Sequence, residues 1–301
     1  MQEQIVQQQV LQQPLSQQPE PAPGVLYLVG TPIGHLGDLS PRARQVLAGV
    51  QRVACEDTRR SGLLLHQLGL RSREQGPRLV SFHQHNQISR IPELLQALRD
   101  GEAVAVISDA GLPGISDPGE ALVAAARGEG LPVICVPGPS AVTTALVSSG
   151  LPCGRFCFEG FLPAKAPQRR RRLQELAGEE RTLVLFEAPH RLLDLLEDLL
   201  AVLGDRPLRV ARELTKRHEE QVGPSVRAAL EHFRRTAPQG ECTLVLGGAP
   251  PAAPAAWDDE ALRGQLQALM AGGLSGRDAA RSLSESSGHS RRDLYALLHR
   301  P

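Results

Sequence analysis

The chain has 301 residues, of which 41% are hydrophobic, which is enough for two domains with buried cores. Its 33 basic and 33 acidic residues balance, so the net charge does not indicate a nucleic-acid partner. No stretch approaches the eighteen apolar residues of a membrane span, and no Lys or Arg precedes Arg42. We therefore expect a cytoplasmic protein with neither a membrane segment nor a signal peptide.

The first part of the chain predicts a tail followed by an α/β domain. Residues 1–23 are rich in Gln and Pro and lack an apolar stripe, which predicts a disordered tail. Residues 24–150 alternate short apolar runs with helical patterns, which predicts five mainly parallel strands. The predicted strands are 25–29, 52–55, 79–82, 103–107 and 132–136. The predicted helices begin at Pro41, with Ser40 as N-cap, and continue at 59–68, 92–99, 119–128 and 140–149.

Residues 151–247 predict a second α/β domain. Its predicted strands are near 156–158, 182–186, 208–211 and 242–246, and its predicted helices are near 167–177, 190–203 and 225–235. The Gly/Pro/Ala-rich segment 248–256 predicts a linker. Residues 257–301 predict a helix-turn-helix-like tail, with a small helical cap on the second domain as the alternative.

Five cysteines occur, an odd number with no C-x-x-C pair. Most lie in apolar runs, which indicates reduced, buried thiols and no metal site. They are Cys55, Cys135, Cys153, Cys157 and Cys242.

Four loops follow predicted strands of the first domain and carry functional residue types. They begin at Gly30, Glu56, Ser108 and Pro137. In open α/β sheets, ligands bind beyond the carboxyl ends of the strands, so Asp109 and the backbone of Gly111 and Gly114 are candidate ligand contacts. An ordinary strand-to-helix turn is the alternative. Neither G-x-G-x-x-G nor G-x-x-x-x-G-K-[ST] occurs, which disfavours both kinds of phosphate loop.

A basic cluster, Lys165 with Arg169, Arg170, Arg171 and Arg172, is the strongest local charge feature. All basic residues except Lys165 and Lys216 are arginines. Arginine binds phosphate through two parallel hydrogen bonds, but an arginine-rich composition or a solvated helix face explains the cluster equally well.

Eight motifs in order resemble those of the tetrapyrrole methylase superfamily, in its branch that methylates small-subunit ribosomal RNA. They cover about residues 25–247 and are LYLVGTPIGHLGDLSPRA, ACEDTR, SFHQHN, ISDAGLPGISDPG, VPGPSAVTTALVSSGLP, GFLPAK, LFEAPHRL and ARELTKRHEE. The resemblance implies two α/β domains with S-adenosylmethionine in the cleft between them, usually as a homodimer. It further implies 2′-O-methylation of a cytidine ribose in the decoding region of 16S rRNA within the small ribosomal subunit. His35 and Leu112 depart from the pattern, which usually has Asn and Thr there.

The resemblance also implies roles for individual residues. Expected cofactor contacts are Pro32, Gly34, Asp109, Gly111, Leu112, Ser140, Ala141, Phe186 and Glu187. Glu187 is equally explained as a charge at a helix N-terminus. A ribose hydroxyl is a weak acid, so a base or cation is expected among Glu56, Asp57, Glu213 and Lys216, with His83 and His85 as further candidates. Neighbouring Glu56 and Asp57 cannot share a helix face, so one is expected to cap the next helix.

RNA binding is expected of Lys165 and Arg169, Arg170, Arg171 and Arg172, with further basic residues at Arg212, Lys216, Arg217, Arg291 and Arg292. Two alternatives stay open: a tetrapyrrole methyltransferase that uses the same donor, and a non-catalytic RNA-binding module on the same fold.

Overall fold

Two five-stranded sheets form the main body of the protein. A computed structural model describes residues 21–72, 75–250 and 258–299. The sheets and their helices lie in one compact unit that ends at Gly247, and the C-terminal helices form a second unit. The predicted division at residue 150 therefore falls inside one unit and stays a prediction. Most of the predicted tail 1–23 and linker 248–256 lies outside the described residues.

The first sheet is entirely parallel, as predicted. Its strand order is β3-β2-β4-β1-β5. The strands are β1 Leu26–Val29, β2 Arg52–Cys55, β3 Arg78–Ser81, β4 Val104–Ile107 and β5 Val133–Val136. Its helices are α1 Pro41–Gly49, α2 Thr58–Gln67, α3 Gln87–Arg99, α4 Glu120–Gly128 and α5 Ala141–Ser148. Each predicted strand is confirmed to within one residue at either end.

The first sheet is buried on both faces because alternate residues of each strand point to opposite sides. In β1, Tyr27 and Val29 pack with α1, whereas Leu26 belongs to the cluster of α3 and α4. Ser40 caps α1 as predicted, since its hydroxyl accepts a hydrogen bond from the Ala43 N–H at 3.0 Å.

The second sheet is mixed, with strand order β6-β7-β10-β8-β9. Only β6 and β7 pair in parallel. The strands are β6 Phe156–Phe161, β7 Thr182–Glu187, β8 Leu208–Arg212, β9 Glu220–Val222 and β10 Cys242–Leu246. The helices are α6 Ala166–Glu175, α7 Leu192–Leu203 and α8 Val226–Arg235. Strand β9 was not predicted, because three residues with two polar side chains carry no periodic signal.

One face of the second sheet packs against α6, α7 and α8, and the other packs against α5. Helix α5 buries Val142, Ala145 and Leu146 there, and Ile33 from the loop after β1 joins the same cluster. The two sheets thus share a hydrophobic cluster beside the carboxyl edge of the first sheet.

The second unit consists of α9 Asp259–Ala271, α10 Gly276–Ser287 and α11 Arg291–Leu297. These helices bury their own small core, which includes Leu262, Leu266, Leu283 and Leu294. The last two helices agree with the predicted helix-turn-helix pattern, whereas α9 was not predicted. Within the described residues, no helix has the length and apolar content needed to cross a bilayer.

The cysteines partly contradict the prediction of buried thiols. Cys55 and Cys242 are buried, but Cys135 and Cys153 are exposed. Cys135 lies on β5, which is an edge strand with one solvent-facing side. No described cysteine forms a disulfide.

Candidate functional site

The site lies where neighbouring strands β4 and β1 end. The helices that follow these two strands, α1 after β1 and α4 after β4, pack on opposite faces of the sheet, which makes the crevice beyond the strand ends a ligand position. The loops after the two strands are joined by a short bridge, in which the Thr31 and Gly111 backbones exchange hydrogen bonds of 2.8 and 3.1 Å. Thr31 is fully buried, so this bridge holds both loops in one arrangement.

Two glycine positions explain how the loops approach so closely. A Cβ atom on Gly30 would lie 2.7 Å from Cα of Gly138, in the loop after β5. Gly111 has φ +90°, which L side chains rarely adopt. The loops after β1, β4 and β5 therefore require glycine to form one common wall.

A cavity of about 320 Å³, here called the apolar cavity, opens between this wall and the second sheet. Its volume is within the range of small-molecule sites. Seven of the nine predicted cofactor contacts line it: Asp109, Gly111, Leu112, Ser140, Ala141, Phe186 and Glu187. The other two, Pro32 and Gly34, line a smaller adjoining cavity of about 230 Å³ together with Lys216.

The Asp109 carboxylate is the most distinctive group of the apolar cavity. Oδ2 accepts a hydrogen bond from Nη1 of Arg60 at 2.9 Å. Oδ1 is buried, and among the described residues it has no hydrogen-bond partner. Since burying a carboxylate oxygen without a hydrogen-bond partner costs free energy, a ligand that donates a hydrogen bond to Oδ1 fits this position.

Glu187 ends β7 and lies on the opposite wall. Its carboxylate accepts a hydrogen bond from the Ala188 N–H at 2.8 Å, and Oε2 is 3.2 Å from Nη2 of Arg191. Burial raises the pKa of Glu187, although these donors oppose the shift. The backbone contact agrees with the alternative in which Glu187 stabilises the start of the following helical segment, so its ligand role stays a prediction.

A third cavity of about 680 Å³, here called the polar cavity, lies beyond β2, β3 and β4. Glu56 and Asp57 both line it. Asp57 caps α2, as expected for one of the pair, by accepting a hydrogen bond from the Arg59 N–H at 2.8 Å. Hydrogen bonds from the Arg59 side chain and backbone lower the pKa of Asp57 to about 2, which makes it a poor base. Glu56 is the exposed carboxylate of the pair.

Glu213 and Lys216 are held in a tight ion-pair network. Nζ of Lys216 lies 3.0 Å from Glu213 and 2.9 Å from Glu241. Burial lowers the pKa of Lys216, but these two carboxylates outweigh it and raise the pKa overall. Burial likewise raises the pKa of Glu213, and the Lys216 hydrogen bond lowers it overall. Both groups therefore stay charged near neutral pH, which leaves Lys216 a cation that cannot accept a proton and makes the Glu213 carboxylate a weaker base. Their catalytic roles stay predictions.

The same network positions the loop after β1. A Cβ on Gly34 would lie 2.5 Å from Cγ of Lys216, and the His35 N–H donates to the Thr215 hydroxyl at 3.0 Å. His35 also accepts a hydrogen bond from the Gly37 N–H at 3.1 Å through Nδ1. This is the capping contact that an Asn side chain makes, so the departure at residue 35 preserves the local chemistry.

The basic cluster is largely occupied by ion pairs. Arg169 is 3% exposed and lies 2.6 Å from Asp198, so the prediction that it binds RNA is wrong. Arg170 contacts the same carboxylate at 2.6 Å, and Arg172 contacts Glu159 at 2.7 Å. Arg171 projects to solvent with a side chain 83% exposed. Lys165, an exposed residue, is the N-cap of α6.

Several residues of the site were not predicted. Asp117 lines the apolar cavity, and burial raises its pKa to about 6, with Glu56 and Asp109 adding to the shift. Phe161 and Phe158 pack around Phe186, with ring centroids 5.6 and 5.0 Å from it. Asp117 could have been found from the sequence, because it is the second carboxylate, after Asp109, in the loop that follows β4. The aromatic contacts could not, because they depend on how the two sheets pack.

Comparison with known proteins identifies the fold and the family. A family model described as tetrapyrrole (corrin/porphyrin) methylases matches residues 25–230. Among solved structures, a uroporphyrin-III-C-methyltransferase from Thermus thermophilus is 25% identical with a TM-score of 0.53, covering 74% of this chain and 94% of the other. A diphthine synthase has a TM-score of 0.55 at 15% identity, over 74% and 90%.

Curated relatives match most of the chain. A protein from Synechocystis sp. is 48% identical over 91% of this chain and 97% of its own length. One from Thermotoga maritima is 46% identical over 75% and 99%, and both are named ribosomal RNA small subunit methyltransferase I. The chain therefore belongs to the tetrapyrrole methylase family, within the group of ribosomal RNA small subunit methyltransferase I proteins.

Proposed function

We propose that this protein methylates the ribosomal RNA of the small subunit, with S-adenosylmethionine as methyl donor and the 2′-hydroxyl of a cytidine in the decoding region of 16S rRNA as acceptor. The names of the curated relatives support the substrate and reaction class. The observation that carries the proposal is the pair of adjoining cavities, one apolar and one polar, that share Asp109 and Ser116 in their walls.

The apolar cavity suits the donor. S-adenosylmethionine supplies a methyl group on a sulfonium centre and carries an amino group. The partnerless Oδ1 of Asp109 is matched to a cationic or N–H donor, and Ile33, Leu112 and Phe186 offer apolar surface. A solved uroporphyrin-III C-methyltransferase of the same fold is complexed with S-adenosyl homocysteine.

Positioning is the main task of the protein in such a transfer, since the donor is already activated. The Thr31–Gly111 bridge and the Lys216 network fix the loops that would hold the donor. Glu56 is our candidate for accepting the ribose proton, because Asp57 and Glu213 have lowered pKa values. We assign Glu213 and Lys216 a positioning role instead.

The assembled small subunit in the cytoplasm is the proposed substrate, and Lys165 and Arg171 are the members of the basic cluster that we expect to contact it. We also propose a homodimer. Its support is that β5 and β6 are edge strands and that Val147 on α5 and Phe156 on β6 are apolar residues 70% and 38% exposed. Light scattering at micromolar concentration tests this, and a monomer there would contradict it.

Methyl transfer from tritiated donor tests the proposed function. We expect incorporation at a ribose of assembled 30S subunits and none into a precursor porphyrinoid; transfer to naked 16S rRNA in place of subunits would contradict the assembled subunit as substrate and keep the reaction class. Transfer to the porphyrinoid alone would identify a tetrapyrrole methyltransferase. Binding of subunits without any transfer would identify a non-catalytic RNA-binding module.

A further inference from the structure

The polar cavity adjoins the proposed donor site and can hold the group that is methylated there. Asp109 and Ser116 line both cavities, so the loop after β4 is the partition between them. The polar cavity has a volume of about 680 Å³, roughly twice that of the apolar cavity. A group that reaches the partition from the polar side therefore comes next to a ligand held by Asp109.

Two histidines provide an aromatic surface in the polar cavity. His83 and His85 follow β3, and their rings contact edge to face with centroids 5.9 Å apart. His85 is exposed. Nδ1 of His83 is buried, and within the described ranges it has no hydrogen-bond partner. Unstacked bases bind to proteins by stacking on aromatic side chains and by hydrogen bonds to their edges, and this pair offers both.

Two arginines border the same cavity and supply positive charge. The side chains of Arg59 and Arg60 are 90% and 73% exposed. Arg60 is held over the cavity by its 2.9 Å contact with Asp109, and Arg59 by a 2.9 Å contact with Asp57. Guanidinium groups fixed in this way are suited to phosphate oxygens, which accept two parallel hydrogen bonds.

We infer that the polar cavity is the acceptor-nucleotide site, which takes one unstacked ribonucleotide with its base against His83 and His85, its phosphate at Arg60 and its ribose at the Asp109–Ser116 partition. This inference rests on the proposed function and adds the location of its substrate. It requires the target nucleotide to leave its stack, as enzymes that act on single nucleotides commonly demand.

Variants of His85 and Arg60 test the inference in the full chain. We expect His85→Ala to raise the KM for 30S subunits by about 5- to 150-fold, the range found when a stacked base loses its aromatic partner. His85→Phe keeps an aromatic ring and should restore most of the loss. Arg60→Gln should lower the salt dependence of subunit binding by about 0.7 to 0.9 in log–log slope, as for one lost phosphate contact.

Matched controls lie away from the cavity. His66→Ala removes a histidine near the C-terminal end of α2, and Arg78→Gln removes an exposed arginine, paired with Glu93 at 3.5 Å, from the amino end of β3. Both should leave KM and salt slope at parental values. Calorimetry with S-adenosylhomocysteine checks that His85→Ala keeps donor-site affinity, which separates an acceptor defect from a donor defect.

The outcomes separate the inference from the proposed function. Parental KM and salt slope in His85→Ala and Arg60→Gln, with normal methylation of subunits by the parent, would overturn the acceptor site and leave the function intact. Absence of RNA methylation by the folded parent would overturn both. Loss of S-adenosylhomocysteine affinity in His85→Ala would place His85 at the donor and also overturn the inference.

Discussion

The two oxygens of the Asp109 carboxylate have different surroundings, and this difference predicts its role. Oδ2 is paired with Arg60, while buried Oδ1 has no partner among the described residues. We expect Asp109→Ala to weaken S-adenosylhomocysteine binding by about 1 to 3 kcal/mol, the usual loss for a charge-assisted hydrogen bond. Titration calorimetry measures it. Asp100→Ala, which changes an aspartate at the opposite edge of the sheet, is the control. Unchanged affinity in folded Asp109→Ala would remove Asp109 from the donor site.

The raised pKa of Asp117 predicts how its removal affects stability. Its pKa is about 6 in the folded protein, mainly because of burial, and 3.8 ordinarily. The folded state thus binds the proton more tightly, so this group's contribution to stability decreases as the pH rises from about 4 to about 6. Asp117→Asn removes the buried charge and should raise the Tm at pH 7.5 more than at pH 4.

Asp57 provides the opposite control for that experiment. Its pKa is lowered to about 2, first by the Arg59 side chain, so its stabilising contribution is present above about pH 4 and is lost as the pH falls toward 2. Asp57→Ala should lower the Tm at pH 7.5, and less so at pH 2.5. Thermal unfolding across this range checks both signs, and an equal shift of Asp117→Asn at pH 4 and pH 7.5 would contradict the assignment.

At the scale of elements, α6 shows why a charge run is ambiguous in sequence. The four arginines cover more than one face of the helix, since each residue advances about 100°. Arg169 turns inward to Asp198 on α7, while Arg171 turns to solvent. The sequence predicted the helix, but the partner carboxylate, Asp198, lies 29 positions away from Arg169 along the chain. Long-range ion pairs of this kind have no local signal.

Separate substitutions in α6 distinguish the two kinds of arginine. Arg169→Gln leaves the 3% exposed Asp198 carboxylate with only Arg170, and breaking a buried pair typically costs about 3 to 5 kcal/mol. Because Arg170 still contacts Asp198, we expect the loss of stability to lie near the lower end of that range. Arg171→Gln should change stability by less than about 0.5 kcal/mol. Urea unfolding measures both, and equal stabilities would mean that the Arg169–Asp198 pair contributes little.

At the scale of the whole molecule, local sequence patterns were sufficient to predict the strands of the first sheet. Apolar runs such as Val104–Ile107 are buried on both faces, and the loops that follow them carry the site. The parallel order of the first sheet was enough to predict Asp109 and the Gly111 backbone as ligand contacts, whereas Ser140 and Ala141 came from the motif resemblance. The packing of the second sheet against α5, which brings Phe186 to the cavity, depends on contacts distant in sequence. The motif resemblance, and not periodicity, supplied Phe186 and Glu187.

The folded part of the chain begins earlier than its composition predicts. Composition predicts a disordered tail through residue 23, but Ala22 is 1% exposed and belongs to the core around β1. Its N–H donates to the Tyr27 hydroxyl at 2.8 Å. Pro21 packs against Gly49, where a Cβ would lie 2.5 Å from Cδ of Pro21. Two apolar residues within a Gln/Pro-rich segment give too little signal to mark this anchor.

Two truncations test where the folded protein begins. A chain that starts at residue 21 should keep the parental Tm, because Gln- and Pro-rich residues bury too little apolar surface to offset their ordering entropy. A chain that starts at residue 24 loses the Ala22 hydrogen bond and its buried methyl group, at a cost of about 1 to 2 kcal/mol. Its Tm should therefore fall by several degrees. Equal melting temperatures for both truncations would show that residues 21–23 add nothing to the stability of the core, and a lower Tm for the chain that starts at 21 would place a further anchor before it.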